Sequence, residues 1–213
     1  MHSTTDSQIT YPEKIVLASG NKKKVNELQQ MLQAFDCQII PQRELSIDDA
    51  IEDGLSFVEN AIKKARHACQ KSGLPAIADD SGIEVDALNG QPGIYSARFA
   101  GTPSSDSANN QKLLEALHGK PRQLRSARYR CVIVYMRHEF DPMPFIASGT
   151  WEGRILEKPI GDGGFGYDPL FFCAQWGKSA AEITPEQKQQ VSHRGQALKQ
   201  LQQWFQSQHN VSC

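Results

Sequence analysis

Leu74-Pro75-Ala76-Ile77-Ala78-Asp79-Asp80-Ser81-Gly82 (LPAIADDSG) runs from an apolar segment directly into two carboxylates. Residues 74–78 are too few for a helix and predict a buried strand whose end presents Asp79 and Asp80. Adjacent carboxylates repel each other and cost desolvation unless a cation or hydrogen-bond donors compensate, and a hard metal is the natural compensation. The segment predicts a metal-binding acidic turn. An exposed Asx turn completed by Ser81 and Gly82 is the alternative.

Strands and helices alternate around this segment. Residues 14–18 (KIVLA) predict a strand, and after a tight loop apolar residues recur at helical spacing, at Val25, Leu28, Met31, Leu32 and Phe35. Ser56 and Glu59 form a capping-box pattern for a second helix that ends before Gly73. Residues 129–137 (YRCVIVYMR) are rich in β-branched and aromatic residues, as in a central strand, and residues 145–156 supply one or two more.

Two further helices complete the pattern. Residues 106–118 place leucines on one face and end before Gly119. Residues 184–187 (TPEQ) combine an N-cap, proline at the first helical position and glutamine at the third, and a terminal helix starts near Ser192. No repeat or low-complexity linker divides the chain. The sequence therefore predicts an α/β fold in which a mixed central β-sheet is flanked by helices.

The composition narrows the classes of function. The 213 residues carry 23 Lys and Arg against 24 Asp and Glu, so the one-sided basic field that nucleic acid polymers need is missing. No apolar run approaches the length of a membrane span, and the polar first ten residues are not typical of an export signal. The five widely spaced cysteines lack a CxxC pair, which indicates reduced thiols and disfavours zinc. A soluble, cytoplasmic protein is expected.

The loop Ser19-Gly20-Asn21-Lys22-Lys23-Lys24 lies between a predicted strand and helix. Backbone N–H groups and the helix dipole attract anions at such a position, and a lysine adds a full charge, so the loop is a candidate phosphate site. It lacks the GxxxxGK[ST] pattern of a Walker A loop. A polar turn before a solvated, lysine-rich helix face is the alternative.

Residues 161–166 (GDGGFG) match GxGxxG formally, but Pro169 opposes the helix that a dinucleotide site requires. The glycines would instead let backbone approach a flat ligand, with Phe165 or Tyr167 stacking on it and Asp168 accepting a hydrogen bond. Locally, a glycine-rich hairpin before a strand at residues 170–173 is favoured. Residues 192–195 (SHRG) place two donors at a helix start, suited to an anion or a carbonyl-bearing base.

Together these segments resemble the inosine triphosphate pyrophosphatase family, the Ham1-like nucleoside triphosphate diphosphatases. The resemblance runs from Lys14 to about Leu201. It is carried, in the family's order and approximate spacing, by SGNKKKVNEL, SFVENAIKKARHA, AIADDSGIEVDALNGQPGIYSARFAG, GGFGYDPLFF and SHRGQAL.

The resemblance implies a two-lobed mixed α/β fold with the active site in the cleft between the lobes. It also implies a homodimer and Mg²⁺-dependent hydrolysis of dITP, ITP and XTP to the monophosphate and pyrophosphate, which cleanses the nucleotide pool. One catalytic domain is expected over residues 14–206, with a disordered extension at residues 1–13 and a flexible tail at residues 207–213.

The family's functional residues map onto this sequence motif by motif. Asp80 corresponds to the metal-linked catalytic acid. The substrate contacts are expected at Ser19, Gly20, Asn21, Lys22, Lys23, Lys24, Ser81, Phe165, Gly166, Tyr167, Asp168, Lys188, His193 and Arg194. Lys24 and Lys64 would add fixed positive charge, and Asp79 would be a supporting residue.

One element departs from the family pattern. Relatives often have paired glutamates before a Gly-x-x-Phe element, where this chain has Ile51-Glu52-Asp53-Gly54. The second metal ligand is predicted at Glu52, with Asp53 as the competitor.

Base selectivity can be predicted from the edges of the purines. A donor such as Arg194 and an acceptor such as Asp168 would satisfy the C6 oxygen and N1 hydrogen of hypoxanthine or xanthine and mispair with adenine. Two other functions remain as alternatives, a Maf-like pyrophosphatase for modified or pyrimidine nucleotides and a nucleotide-binding regulator without turnover.

Overall fold

The computed structural model describes residues 12–19 and 37–209, and between these ranges residues 25, 28, 29, 31, 32 and 35. The described positions of the predicted first helix are helical at Val25, Leu28, Met31 and Leu32. The predicted N-terminal extension lies outside the described residues except at 12 and 13. The phosphate-loop residues Gly20, Asn21, Lys22, Lys23 and Lys24 lie outside them as well, so these two predictions stay predictions.

The described residues form a seven-stranded sheet with the order β2-β1-β3-β4-β5-β6-β7. The first three strands are parallel, and every pair from β3 onward is antiparallel. The strands are β1 Lys14–Leu17, β2 Gln38–Pro41, β3 Ala76–Val85, β4 Ser126–Met136, β5 Phe145–Ile155, β6 Phe171–Cys173 and β7 Lys178–Ser179. The predicted mixed sheet is confirmed, with β4 at its centre.

Four α-helices pack around the sheet in the part of the chain that the structure describes after residue 36. They are α1 Phe57–Ser72, α2 Asp106–Ala116, α3 Pro185–Val191 and α4 His193–His209. Short 3-10 segments lie at Gln42–Leu45, Asp86–Leu88, Gly93–Arg98 and Arg122–Leu124. None of the helices among the described residues is both long and apolar enough to cross a membrane.

Helix α1 begins where the capping box predicts. The Ser56 side chain accepts a hydrogen bond from the Glu59 N–H, and the helix ends at Gly73 in the left-handed conformation. Its buried stripe consists of small residues, Ala61, Ala65 and Ala68. Small side chains let the helix axis approach the sheet closely, so polar side chains on the same face reach the sheet as well.

The acidic segment is not a turn, contrary to the prediction from the sequence. Strand β3 continues through Asp79, Asp80, Ser81 and Gly82 and pairs with β4 from Ala76↔Met136 to Val85↔Ala127. The long antiparallel ladder satisfies the backbone of these residues without an Asx turn. At Gly82, a Cβ atom would lie 2.4 Å from the carbonyl oxygen of Gly93, so the glycine permits close approach of the 93–98 segment.

The hydrophobic core has parts on both sides of the acidic pair. Around the first half of β3, α4 packs on one face of the sheet and α1 packs on the other. Around the second half, Leu113 and Leu117 of α2 pack with Ile83 and Val85. Asp79 and Asp80 therefore lie between two lobes, in agreement with the predicted two-lobed fold.

The junction of α3 and α4 is packed tightly against β5. The predicted N-cap Thr184, the proline at the first helical position and the glutamine at the third are all present at the start of α3. A Cβ atom at Gly149 of β5 would lie 1.9 Å from the His193 carbonyl oxygen, and one at Gly195 would lie 1.8 Å from the Gln189 carbonyl oxygen. The two glycines thus fix the position at which α4 begins.

Helix α4 continues to His209, three residues into the segment expected to be a flexible tail. The Ser207 hydroxyl donates to the Trp204 carbonyl within this last turn. Residues 210–213 lie outside the described part of the chain.

We predict that Gly149→Ala lowers the free energy of unfolding by about 1–3 kcal/mol or more, because the added methyl group overlaps the backbone of His193. Ser148→Ala, on the neighbouring exposed position of β5, is the matched control and should unfold like the wild type. Urea denaturation measures both. Equal stability of Gly149→Ala and Ser148→Ala would contradict the predicted contact.

Candidate active site

A cavity of about 200 Å³ opens beyond the carboxyl ends of β1 and β2. Ligands of open α/β sheets commonly bind at such an edge, where loops from neighbouring parallel strands converge. The cavity is lined by Ala18, Ser19, Gln42, Asp49, Ala50, Glu52, Lys64 and Asp79. The described end of the predicted phosphate loop, Ser19, and the predicted metal ligand Glu52 therefore share one cavity.

Helix α1 places an ammonium group between two carboxylates. Lys64 Nζ lies 3.2 Å from Asp80 Oδ1 and 3.1 Å from Glu52 Oε1. All three side chains are mostly buried, with Lys64 and Asp80 no more than 13% exposed. The residues predicted from separate motifs are thus brought together within reach of one cation.

Asn60, one helical turn before Lys64, connects the same two segments. Its Nδ2 donates to Asp80 Oδ2 over 3.3 Å, and its Oδ1 accepts from the Gly54 N–H over 2.9 Å. A Cβ atom at Gly54 would lie 2.6 Å from Asn60 Oδ1, so the loop needs glycine there. Asn60 was not predicted from the sequence, although a fully buried asparagine on an alanine stripe is a signal of a polar contact to the sheet.

Burial and the neighbouring charges together set the pKa values of Asp80 and Lys64. Burial raises the pKa of the Asp80 carboxyl above its ordinary value; Lys64 opposes this shift and Glu52 adds to it. Burial alone would lower the pKa of Lys64, but the carboxylates of Asp80, Asp79 and Glu52 outweigh it and raise that pKa. Lys64 is therefore cationic at neutral pH, and Asp80 takes up a proton more readily than an ordinary aspartate.

The structure separates Glu52 from its competitor. The Asp53 carboxylate is exposed and accepts a hydrogen bond from Lys63, which lowers its pKa. It takes no part in the contacts of Lys64 with Asp80. The geometry favours Glu52 over Asp53 as the carboxylate that acts with Asp80.

Asp79 faces the opposite side of β3 from Asp80. Successive side chains of a strand point to opposite faces, so the two carboxylates contact different cations, although both lie near enough to Lys64 to raise its pKa. Asp79 Oδ2 lies 2.7 Å from Arg194 Nη2, at the start of α4. Each carboxylate is compensated by its own cation, and the predicted supporting role of Asp79 takes the form of an ion pair. Ser81, on the same face as Asp79, is half-buried opposite Cys131.

The glycine-rich loop presents one exposed aromatic ring. The Phe165 side chain is 59% exposed, and Lys188 Nζ lies 4.9 Å from its ring centroid. Tyr167 is buried, and its hydroxyl donates to the Ser96 carbonyl over 2.8 Å. Of the two rings that the sequence offered for stacking, Phe165 is accessible to a ligand and Tyr167 belongs to the frame of the loop.

Asp168 lies beneath this loop. It is buried and accepts hydrogen bonds from the Phe165 N–H over 2.9 Å, from the Tyr129 hydroxyl over 3.3 Å and from the Lys188 ammonium. The Tyr129 ring stacks on the His193 ring with centroids 4.8 Å apart. Four of the predicted nucleoside residues, Phe165, Asp168, Lys188 and His193, are therefore connected, with Tyr129 as the link to His193. The sequence interpretation missed Tyr129 because it lies in the central strand.

The donor set is compatible with a hard divalent cation. Magnesium is usually held by one or two carboxylates together with substrate phosphates and waters. Glu52 and Asp80 supply two carboxylates around a position that already accommodates the positive charge of Lys64. Within the described residues, no group of three or more His, Cys, Asp and Glu side chains forms a ready-made metal cage. These residues fit a cation that is completed by its substrate.

The sequence of this chain is similar to those of known proteins over most of its length. A model of the Ham1 family matches residues 15–204. A dITP/XTP pyrophosphatase of Yersinia pseudotuberculosis serotype I (strain IP32953) is 57% identical over 187 residues, which cover 88% of this chain and 95% of that protein. A dITP/XTP pyrophosphatase of Escherichia coli (strain K12) is 54% identical over 189 residues, which cover 89% and 96%.

Solved structures of related proteins share the fold. A HAM1 protein from Coxiella burnetii has a TM-score of 0.88 at 48% identity and covers 91% of this chain and 98% of its own. The Staphylococcus aureus Ham1 protein has a TM-score of 0.85 at 40% identity, with the same coverage of 91% and 98%. Since the family model spans residues 15–204 and such similar relatives cover about nine tenths of the chain, this protein belongs to the Ham1 family.

Proposed function

We propose that this protein hydrolyses dITP, ITP and XTP to the corresponding monophosphate and pyrophosphate. The observation that carries the proposal is the pair of carboxylates, the buried Asp80 and the partly buried Glu52, joined by Lys64 beside the cavity at the strand ends. The names of the relatives, dITP/XTP pyrophosphatases, support the same activity. They do not favour a Maf-like enzyme or a regulator without turnover.

The triphosphate would bind in the cavity between Ser19 and Lys64. Glu52 and Asp80 would hold Mg²⁺. When bound, this ion would neutralise negative charge on the phosphates and on the pyrophosphate leaving group. Lys64 adds a fixed positive charge in a buried environment, where it acts more strongly than in water. The lysines of the predicted phosphate loop, Lys22, Lys23 and Lys24, would bind the outer phosphates.

Asp80 is proposed as the base. Water attacks the α-phosphorus, the bond from this phosphorus to the bridging oxygen breaks, and pyrophosphate leaves. The proton released by the water goes to the Asp80 carboxylate. Asn60 holds one oxygen of this carboxylate, so that the other oxygen keeps a fixed direction.

The base would bind against the exposed ring of Phe165. Arg194 and Lys188 at this end are hydrogen-bond donors, which suit the C6 oxygen of hypoxanthine or xanthine and oppose the amino group of adenine. The contacts of Asp168 with Lys188, Tyr129 and Phe165 suggest that it acts on the base through the residues it holds. We further propose a cytoplasmic homodimer, as the family resemblance implies.

We predict that the purified protein with Mg²⁺ releases pyrophosphate, and no orthophosphate, from dITP and XTP. Release from dATP should be much slower, because the donors of the base site match the C6 oxygen of hypoxanthine and xanthine and not the C6 amino group of adenine. Separate assays of the two phosphate products measure this. Release of orthophosphate alone would refute cleavage between the α- and β-phosphates.

We predict that Glu52→Gln lowers kcat/KM for dITP by about 100-fold or more, the scale of one lost electrostatic contact to the transition state. Asp53→Asn, the matched control, should act like the wild type because the Asp53 ion pair is exposed. Asp80→Asn should bind dITP but turn it over at a rate as low as that of Glu52→Gln. Loss of activity in Asp53→Asn with retention in Glu52→Gln would reverse the assignment.

We predict that Asn60→Leu lowers the free energy of unfolding by about 1–3 kcal/mol, because it leaves the buried Gly54 N–H without its acceptor and one Asp80 oxygen without its donor. Lys63→Ala on the exposed side of the same helix should change stability little. Turnover of dITP should fall in Asn60→Leu and persist in Lys63→Ala. A fully active Asn60→Leu would show that Asp80 needs no such support.

A further inference from the structure

Helix α2 contacts the loop that carries Phe165, although it lies in a distant part of the sequence. The loop closes at its neck, where the Ile160 N–H donates to the Pro169 carbonyl over 2.9 Å. At its tip, the Gly166 N–H donates to Asp106 Oδ2 over 2.6 Å, and Asn110 Nδ2 donates to the Gly166 carbonyl over 2.8 Å. Both polar groups of one peptide residue are thus bound by side chains of α2.

The spacing of Asp106 and Asn110 along α2 allows both side chains to bind the same residue. Asp106 and Asn110 are four residues apart and lie one above the other on the same helix face. Asn110 Oδ1 is buried and has no hydrogen-bond partner in the described part of the chain. The asparagine therefore satisfies only its donor at this position, and the group that it binds is the Gly166 carbonyl.

The contacts of α2 with Gly166 also restrict the neighbouring residue, Phe165. Gly166 adopts a φ of +61°, which is accessible to glycine at low cost, and Gly161 and Gly164 of the same loop also have positive φ. Such a loop loses much conformational entropy when it is ordered. Asp168 binds the Phe165 N–H from within the loop, and α2 binds Gly166 from outside it. Phe165, between these contacts, keeps its ring beside the Lys188 ammonium.

We propose that Asp106 and Asn110 are positioning residues for base selectivity. They touch neither the base nor the phosphates, and they hold the Phe165 ring and the Lys188 ammonium in the arrangement that the base meets. The inference rests on the proposed function, in which Phe165 and Lys188 bind the purine. Ordering the loop before binding removes an entropic cost that a free loop would add to every binding event.

The experiment compares Asp106→Ala, Asn110→Ala, Asp106→Asn and Ser107→Ala with the wild type. Asp106→Asn keeps an acceptor oxygen for Gly166 but loses the negative charge beside the helix N-terminus, so it separates the contact from the helix dipole. Ser107 is exposed on the same turn and controls for changes in the helix itself. Thermal unfolding verifies that each variant is folded.

Steady-state kinetics with dITP and dATP give the deciding ratio. The two alanine variants should raise KM for dITP by about tenfold, the value of one or two lost hydrogen bonds, with a smaller change in kcat. Their preference for dITP over dATP should fall, while Asp106→Asn and Ser107→Ala keep it. Binding of IMP in EDTA, measured by calorimetry, should weaken to the same extent, and inhibition by inorganic triphosphate should be unchanged.

The outcomes distinguish this inference from the proposed function. A wild type that prefers dITP, with alanine variants that keep both its KM and its preference, overturns the positioning role and leaves the function intact. Equal loss of IMP binding and of triphosphate inhibition overturns it too, since that result indicates general damage. A wild type without preference for dITP overturns the proposed function and the inference together.

Discussion

The contact of Lys64 with Asp80 and Glu52 is the interaction on which the site depends. Two charges, those of Lys64 and Asp80, are largely taken out of water, and such a group is stable only if each charge is compensated in good geometry. The alanine stripe of α1 brings the helix close enough to the sheet for Lys64 to reach both carboxylates. Asn60 then ties the loop at Gly54 to Asp80. Removing any one partner would leave a buried charge or donor unsatisfied.

Local patterns were sufficient to predict the helices and most strands. Ser56 with Glu59 and Thr184 with Gln187 mark helix starts through contacts three residues apart, and the structure has both. The acidic segment was predicted wrongly because its backbone partners lie in β4, about fifty residues later. Nothing near Asp79 and Asp80 in the sequence reveals that ladder. Two acidic residues before Ser-Gly look like a turn as long as the neighbouring strand is unknown.

Contacts between residues that are distant in sequence also limited the prediction of the site. Glu52, Asp80 and Lys64 each belong to a recognisable motif, so their types and order were predictable. The choice between Glu52 and Asp53 required the three-dimensional position of Lys63 and Lys64, which differ by one residue on a helix and point to different surroundings. Asn60, Tyr129, Asp106 and Asn110 act through contacts that cross 20 to 60 positions of sequence. Their identities alone are compatible with ordinary helix and strand residues.

The alternation of β3 divides the proposed reaction between two faces of one strand. Asp80 faces α1 and contacts Lys64, while Asp79 pairs with Arg194 and also lines the cavity beside Ser19 and Lys64. Because adjacent residues of a paired strand hold a fixed separation, the distance between these two ion pairs is set by covalent geometry and the β-ladder. A base that seats properly against Phe165 and Arg194 would thereby bring its α-phosphate to Asp80, and a base that seats poorly would displace it. Small displacements at the reacting atom reduce rates steeply. The seating of the base would then set the position of the α-phosphate.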